Sequence, residues 1–397
     1  CPLLSPRNGI INKFIRTSHS LFMIRYALTL VYLLFALASE PFVHAENALS
    51  AFPGEATSSS VSISNVVPRQ DDRGQLMDQH DGNLLKVGDL WYWYGMGYTD
   101  CKLETGLIPP LDCPGIYRKF GKGCGFRTDH ELNVYVSKDL ATWSFAGDAL
   151  PVNGTRPEGI YFRPKVIFNP KTSQYVLWIN YLPPARTPLG SYPDATYLVG
   201  TSEKAEGPFE IVNESPNFQH TGPGDATLAV DEDGAAYVAY GAWGNGHRIS
   251  IEKLTDDWLD TTGEETNTGF LSPEKREAPL LFERKGTWYL LYGHTCCFCR
   301  FGSGLTISTA PHPLGPWTET DVEVNPRKKW SAHHEIPAQA NYVFEVDGEF
   351  VYTGDLWTSA QDGLKSHDLQ YWGVFDFDDT QQPPMIHEMV FKDEIVL

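Results

Sequence analysis

The chain has 397 residues, with 50 Asp plus Glu against 31 Lys plus Arg and a formal charge of −19. That balance excludes a nucleic-acid protein held by phosphate contacts, which needs a basic surface. Hydrophobic residues at 42% against 20% charged exclude wholesale disorder, and 35 Gly with 28 Pro point to many short strands joined by turns.

Residue 1 is Cys, and Met23 is the expected start, so residues 1–22 read as an upstream extension. From Met23, a short n-region with Arg25 leads into an apolar run at 27–38. Val43-His44-Ala45 then offers small or modest residues to a signal peptidase. Residues 23–45 therefore read as a secretory signal, too short in apolar length to be a spanning helix of ~20 residues. The expected product is secreted, free of the membrane after cleavage, and a monomer. Residues 46–75 are small, polar and Ser-rich, and read as a flexible lead-in. An oxidising destination gives meaning to the six cysteines beyond Met23, which are Cys101, Cys113, Cys124, Cys296, Cys297 and Cys299. Their even count predicts disulfides bracing loops, with the pairing open.

From residue 76 onward the chain repeats itself. Five segments begin at Asp81, Arg163, Asp225, Glu277 and Gln339, spaced 52 to 82 residues apart. Each opens on a polar residue. An apolar strand-like run follows, then a turn, then an aromatic-rich strand; Gly88, Gly234, Gly286 and Gly348 stand at four of the turns. Weaker outer strands come after each hairpin. About four strands per repeat is the plan of a β-propeller, and one repeat cannot bury both faces alone. Residues 76–397 therefore read as one all-β, five-bladed propeller.

In a propeller the first strand of each blade lines the axis, so the five opening residues should meet at one end. Three of them, Asp81, Asp225 and Glu277, are carboxylates. Like charges crowded in a funnel raise a pKa, which suits a site that keeps one acid protonated and one carboxylate free. Glycoside hydrolysis needs that pair. Sugar faces stack on flat rings, which singles out Trp243 and Trp357 in loops after second strands. His294 has the same phase, and His80 stands beside Asp81. Trp91, Trp93 and Trp178 lie on strands and read as core. Arg163, Gln339, His80, Trp243, His294 and Trp357 make up the expected substrate-binding set.

The same residues resemble glycoside hydrolase family 43, the secreted five-bladed propellers that cleave arabinose-, xylose- and galactose-containing polysaccharides with inversion. The resemblance covers the chain after residue 76. It implies that Asp81, seven residues before Gly88, is the general base. It implies that Asp225 in DATLAVDEDG modulates the pKa of the acid, and that Glu277 in Glu277-Ala278-Pro279 is the general acid. HDGNLLKVGDLWYWYG, FRPKVIFN and REAP are similar to the exo-β-1,3-galactanase branch, as are Arg163-Pro164-Lys165 and Gln339. Phe162 stands where that branch has Glu, with Glu158 a possible replacement, and Asp81 stands where it has Gly. Many family members carry a His at the position of Gln339, near a calcium in some. Gln is a poor ligand there, so no metal and no cofactor is expected. The expected partner is a polysaccharide or oligosaccharide such as galactan, arabinan or xylan side chains, with no nucleic acid. Two other readings stay open, a catalytically lapsed carbohydrate-binding propeller and a retaining fructan- or sucrose-type glycosidase.

Overall fold

The computed structural model describes residues 60–99, 130–152, 156–183, 194–266, 269–295, 298 and 300–397. The signal segment and the six cysteines lie outside the described residues. Residues 58–397 form one compact unit.

Four sheets of four antiparallel strands follow one another along the chain. The first holds β2(His80–Val87), β3(Leu90–Met96), β4(Leu132–Ser137) and β5(Ser144–Asp148). The second holds β6(Ile160–Asn169), β7(Gln174–Leu182), β8(Thr196–Ser202) and β9(Glu210–Asn213). The third holds β10(Pro223–Val230), β11(Ala236–Ala242), β12(Arg248–Leu254) and β13(Thr261–Glu265). The fourth holds β14(Arg276–Arg284), β15(Thr287–His294), β16(Thr306–Ala310) and β17(Thr318–Glu323). The fifth sheet has three strands, β18(Gln339–Val346), β19(Glu349–Leu356) and β20(Leu369–Val374), and is followed by the short pair β21(Phe377–Asp378) and β22(Met385–Ile386). This is the five-bladed propeller that the repeats predict.

Turn chemistry explains the hairpins. Lys285 and Gly286 (φ 53° and 77°) and Asp347 and Gly348 (φ 51° and 86°) form two-residue turns with both residues left-handed. Such turns match the twist of the strands they join. Side-chain alternation then explains the ring. On β3, Tyr94 and Met96 pack with Val166 and Leu177 of the second blade, while Trp91 and Trp93 pack with Phe344 and Trp372 of the fifth. Each blade thus buries one face on each neighbour, and the hydrophobic core is divided among the blade interfaces. Trp91, Trp93 and Trp178 are all buried in it.

The segment expected as a lead-in belongs, from Val61 on, to the ring closure. β1(Ser62–Ser64) pairs antiparallel with β23(Glu394–Val396). Asn65 then docks on the outer edge of β20: its Oδ1 accepts the N–H of Trp372, and its Nδ2 donates to Trp372 O and Lys392 O. A side-chain amide takes up backbone groups that a fourth strand would otherwise pair. Small polar composition suggested a linker, but the same residues suit a short edge strand.

Candidate active site

Every inner strand is bulged at its axial end. Register shifts fall between His80 and Asn83, Phe162 and Lys165, Pro223 and Ala226, Glu277 and Leu280, and Ala340 and Tyr342. A bulge re-aims side chains and adds local twist. The five opening residues consequently do not share one register position, as the repeat alone suggested. Asp81 and Arg163 sit in their bulges with φ of 64° and 54°. Asp225 follows the bulge glycine Gly224, Glu277 is the last paired residue before its bulge, and Gln339 pairs with Asp355.

The structure brings Asp81, Arg163 and Asp225 together. Arg163 forks onto Asp225, with Nε 3.2 Å from Oδ1 and Nη2 3.3 Å from Oδ2. Its Nε also lies 3.6 Å from Asp81 Oδ1. Nη1 donates to Ala340 O and Asn341 Oδ1, tying the blade-two guanidinium to blade five. Burial opposes the charge on Arg163, but Asp225 and Asp81 outweigh it and raise its pKa. The carboxylate crowding expected from the repeat is therefore compensated by a cation at its centre. Burial still pushes the Asp81 carboxyl up against the pull of Arg163, with Asp355 and Asp225 adding to the rise. The other Asp81 oxygen accepts the hydroxyl of Tyr98 at 2.9 Å.

Glu277 is buried, and its Oε1 accepts Gln339 Nε2 at 3.0 Å. Gln339 Oε1 accepts the indole N–H of Trp357 at 2.9 Å. The Trp357 ring packs on His80, with centroids 5.1 Å apart. His80 Nδ1 lies 3.0 Å from Asp355 Oδ1, and its Nε2 lies 3.7 Å from Asp78. Burial opposes the charged ring, but Asp355 and Asp78 outweigh it and hold the imidazole up to about 9. His80 is therefore an imidazolium at neutral pH. Its side chain is fully buried, so its contacts are with protein groups rather than with a ligand. The chain of contacts from Glu277 through Gln339, Trp357, His80 and Asp355 to Asp81 is continuous.

Trp243 lies just outside this network, packing on Phe162 and His247 (5.7 and 6.0 Å). Gly224 makes room for it: a Cβ there would stand 1.9 Å from the indole. Trp243 thus covers the backbone that leads into Asp225. His294 stands apart, beside His334 at 6.2 Å. Burial and the nearby Arg276 push its pKa down to about 4, so it is neutral. Glu158 is exposed, and its carbonyl accepts the hydroxyl of Tyr181.

Several site residues escape sequence reasoning. Asp355 and Lys165 are buried beside Asp81. Lys365, also buried, lies over the rings of Tyr98 and Phe298. Asp355 lies two residues before Trp357 and directly opposite Gln339, so hairpin register was the signal that could have found it. Among the described residues, no group of three or more His, Cys, Asp or Glu is placed to hold a metal ion.

Comparison with known proteins agrees with this architecture. The model of glycosyl hydrolases family 43 matches residues 120–363, more than half of the chain. No curated protein matches. Among solved structures, the chain is similar to an exo-β-1,3-galactanase from Phanerochaete chrysosporium, solved with β-1,3-galactotriose. The TM-score is 0.64 at 23% identity, covering 84% of this chain and 68% of that one. It is also similar to an exo-β-1,3-galactanase from Clostridium thermocellum (TM-score 0.64, 22% identity, 84% of this chain and 66% of that one). A third is a GH43 β-1,3-galactosidase (TM-score 0.64, 23% identity, 85% of this chain), of whose length this chain spans only 64%. At such identities the likeness is one of fold. The family-model match and the propeller together establish that the chain belongs to glycosyl hydrolases family 43.

Proposed function

We propose that this protein is a secreted, monomeric glycoside hydrolase that cleaves plant- or algal-type polysaccharide with inversion. Glu277 protonates the leaving glycosidic oxygen. Asp81 takes a proton from water as that water attacks the anomeric carbon from the opposite face. The C–O bond breaks, the leaving alcohol keeps the proton of Glu277, and the water oxygen becomes the new anomeric hydroxyl. Asp225 acts through Arg163, whose charge it shares with Asp81. The observation that carries the reading is the continuous buried network that runs from the Glu277 carboxyl to the backbone of Asp81, in a chain of this family. Burial, which raises the Asp81 carboxyl, makes it a stronger base than an ordinary aspartate.

β-1,3-galactan is the first substrate to test, because the similar structures are named for it; arabinan and xylan side chains follow. Trp243, half-buried after β11 and backed by the buried Phe162, is the ring offered to the apolar face of a sugar.

The test incubates the secreted chain with β-1,3-galactan, arabinan, arabinoxylan and aryl glycosides, beside Glu277→Gln, and follows the product anomer by NMR. Release with inversion, reduced about 10²–10⁴-fold in Glu277→Gln, is the expected result. Aryl glycosides with good leaving groups should suffer much less, since they need no protonation. Release with retention would overturn the roles given. Binding of saccharide without release would make the protein a lapsed, carbohydrate-binding propeller.

A further inference from the structure

Asp81 occupies a conformation that a residue with a Cβ rarely adopts, with φ of 64° in the first bulge. Such a backbone persists only where its surroundings over-determine it. The next residue narrows the choice further. A Cβ on Gly82 would lie 1.5 Å from Tyr94 O, so the bulge crosses hard against β3.

Two buried side chains, one a carboxyl and one an amine, grip the backbone of Asp81. Its N–H donates to Asp355 Oδ2 at 2.9 Å. Its carbonyl accepts Lys165 Nζ at 2.8 Å. Each gripping group is itself fixed. Asp355 Oδ2 also accepts Asn341 Nδ2 at 2.8 Å, and its Oδ1 faces His80 Nδ1 at 3.0 Å. Lys165 also donates to Pro164 O at 3.3 Å. Asp355 has a relative exposure of 0% and Lys165 of 1%, so neither is available to a ligand. Polar groups this deeply buried are costly unless paired, and each of the two has one of its partners in the backbone of Asp81.

We propose that Asp355 and Lys165 are positioning residues: they clamp the two peptide groups flanking Asp81 and hold it in the left-handed bulge. With the backbone so held, the carboxylate lies between Tyr98 and Arg163. The two residues come from the fifth and second blades, so the clamp also sets the first blade against both neighbours where the chemistry occurs. This inference rests on the reading of Asp81 as the general base.

The test uses the full chain and three variants, Asp355→Ala, Asp355→Asn and Lys165→Met, with steady-state kinetics on the substrate that the wild type cleaves and a crystal structure of each. Asp355→Ala should lower kcat about 10²-fold, the cost of misplacing a reacting group by about 1 Å, with KM within about threefold. Asp355→Asn keeps an oxygen that accepts the Asp81 N–H, and should retain kcat to within about tenfold. It also covers the case in which the alanine variant fails to fold. Lys165→Met should fall between the two. In the Asp355→Ala crystal, Asp81 should leave the left-handed region and lose its contact with Tyr98. Unchanged kcat, equal damage from Asn and Ala, or an Asp81 that keeps its φ would each overturn the clamp. If the wild type cleaves no substrate, the glycosidase reading fails, while the backbone of Asp81 in the variant crystals still decides the clamp.

Discussion

Trp357 donates its indole N–H to the side-chain oxygen of Gln339, and that bond decides which end of the Gln339 amide faces Glu277. An amide can be turned by half a rotation at little steric cost, so something must choose its direction. With the oxygen committed to Trp357, the NH₂ group is left to donate to Glu277. Trp357→Phe keeps a ring in the packing and removes only the donor. We expect kcat to fall about fivefold, the worth of one hydrogen bond of about 1 kcal/mol, with little change in Tm. Thermal unfolding and steady-state rates measured side by side check this.

Arg163 joins two carboxylates and blade five through a single guanidinium. Arg163→Met would leave Asp81 and Asp225 buried without their common partner. Removing one member of a buried ion network costs about 3–5 kcal/mol. Urea unfolding should show that loss as a lower midpoint at unchanged slope. A loss below about 1 kcal/mol would mean that water enters and solvates the two carboxylates.

The charge on His80 predicts a pH dependence. Its folded ring is held up to about 9, against 6.5 for the unfolded chain. The native state therefore binds this proton more tightly. The stability it contributes is fully present below pH 6.5 and is lost as pH rises through about 9. Lys165 works in the opposite sense. Burial and Arg163 push its ammonium down to about 7 from 10.5, so its contribution grows as pH rises through that window. Comparison with His80→Gln isolates the first effect. The advantage of the wild type over the variant should shrink by about 3 kcal/mol between pH 6 and 9.5. A constant difference in urea unfolding across that range would show the native ring to be uncharged.

Asn65 is the most concentrated contact of the closure. Its amide is buried and makes three hydrogen bonds to the backbone of Trp372 and Lys392. Asn65→Ala would strand an N–H and a carbonyl at the edge of β20. A loss of about 2–3 kcal/mol is expected, seen as a drop in Tm of several degrees. Hydrogen exchange should place the loosened amides in β20 and the segment leading to β23, and none in the third blade.

The fold was legible in the sequence because its repeat is periodic. A turn and an aromatic strand recur at blade spacing, and alternation within each strand assigns its faces. Asp81, Arg163 and Asp225 were legible for the same reason, each standing at the head of a repeat. Asp355 and Lys165 were not. They sit inside strands, where a charged residue looks like solvated edge: Lys165 follows the bulge of β6, and Asp355 reaches Asp81 from its register position opposite Gln339. Arg163 shows the limit from the other side: its position was found, but its bridging of two carboxylates needs the side-chain geometry. The closing strand was missed because three residues of Ser and Ile carry no periodicity long enough to detect.

The pairing of β1 with β23 also sets how the molecule resists being pulled. Val61 and Leu397 exchange both backbone hydrogen bonds, at 2.8 and 2.9 Å. The two strands are antiparallel, so the first residues of β1 lie beside the last residues of β23. A tension applied between residues 61 and 397 loads this pair sideways, one rung after another, as a zipper opens, rather than along the strands in shear. The ring should part at low force between its first and fifth blades. The remaining blades would then be drawn out singly, each as the outermost of a shortening row.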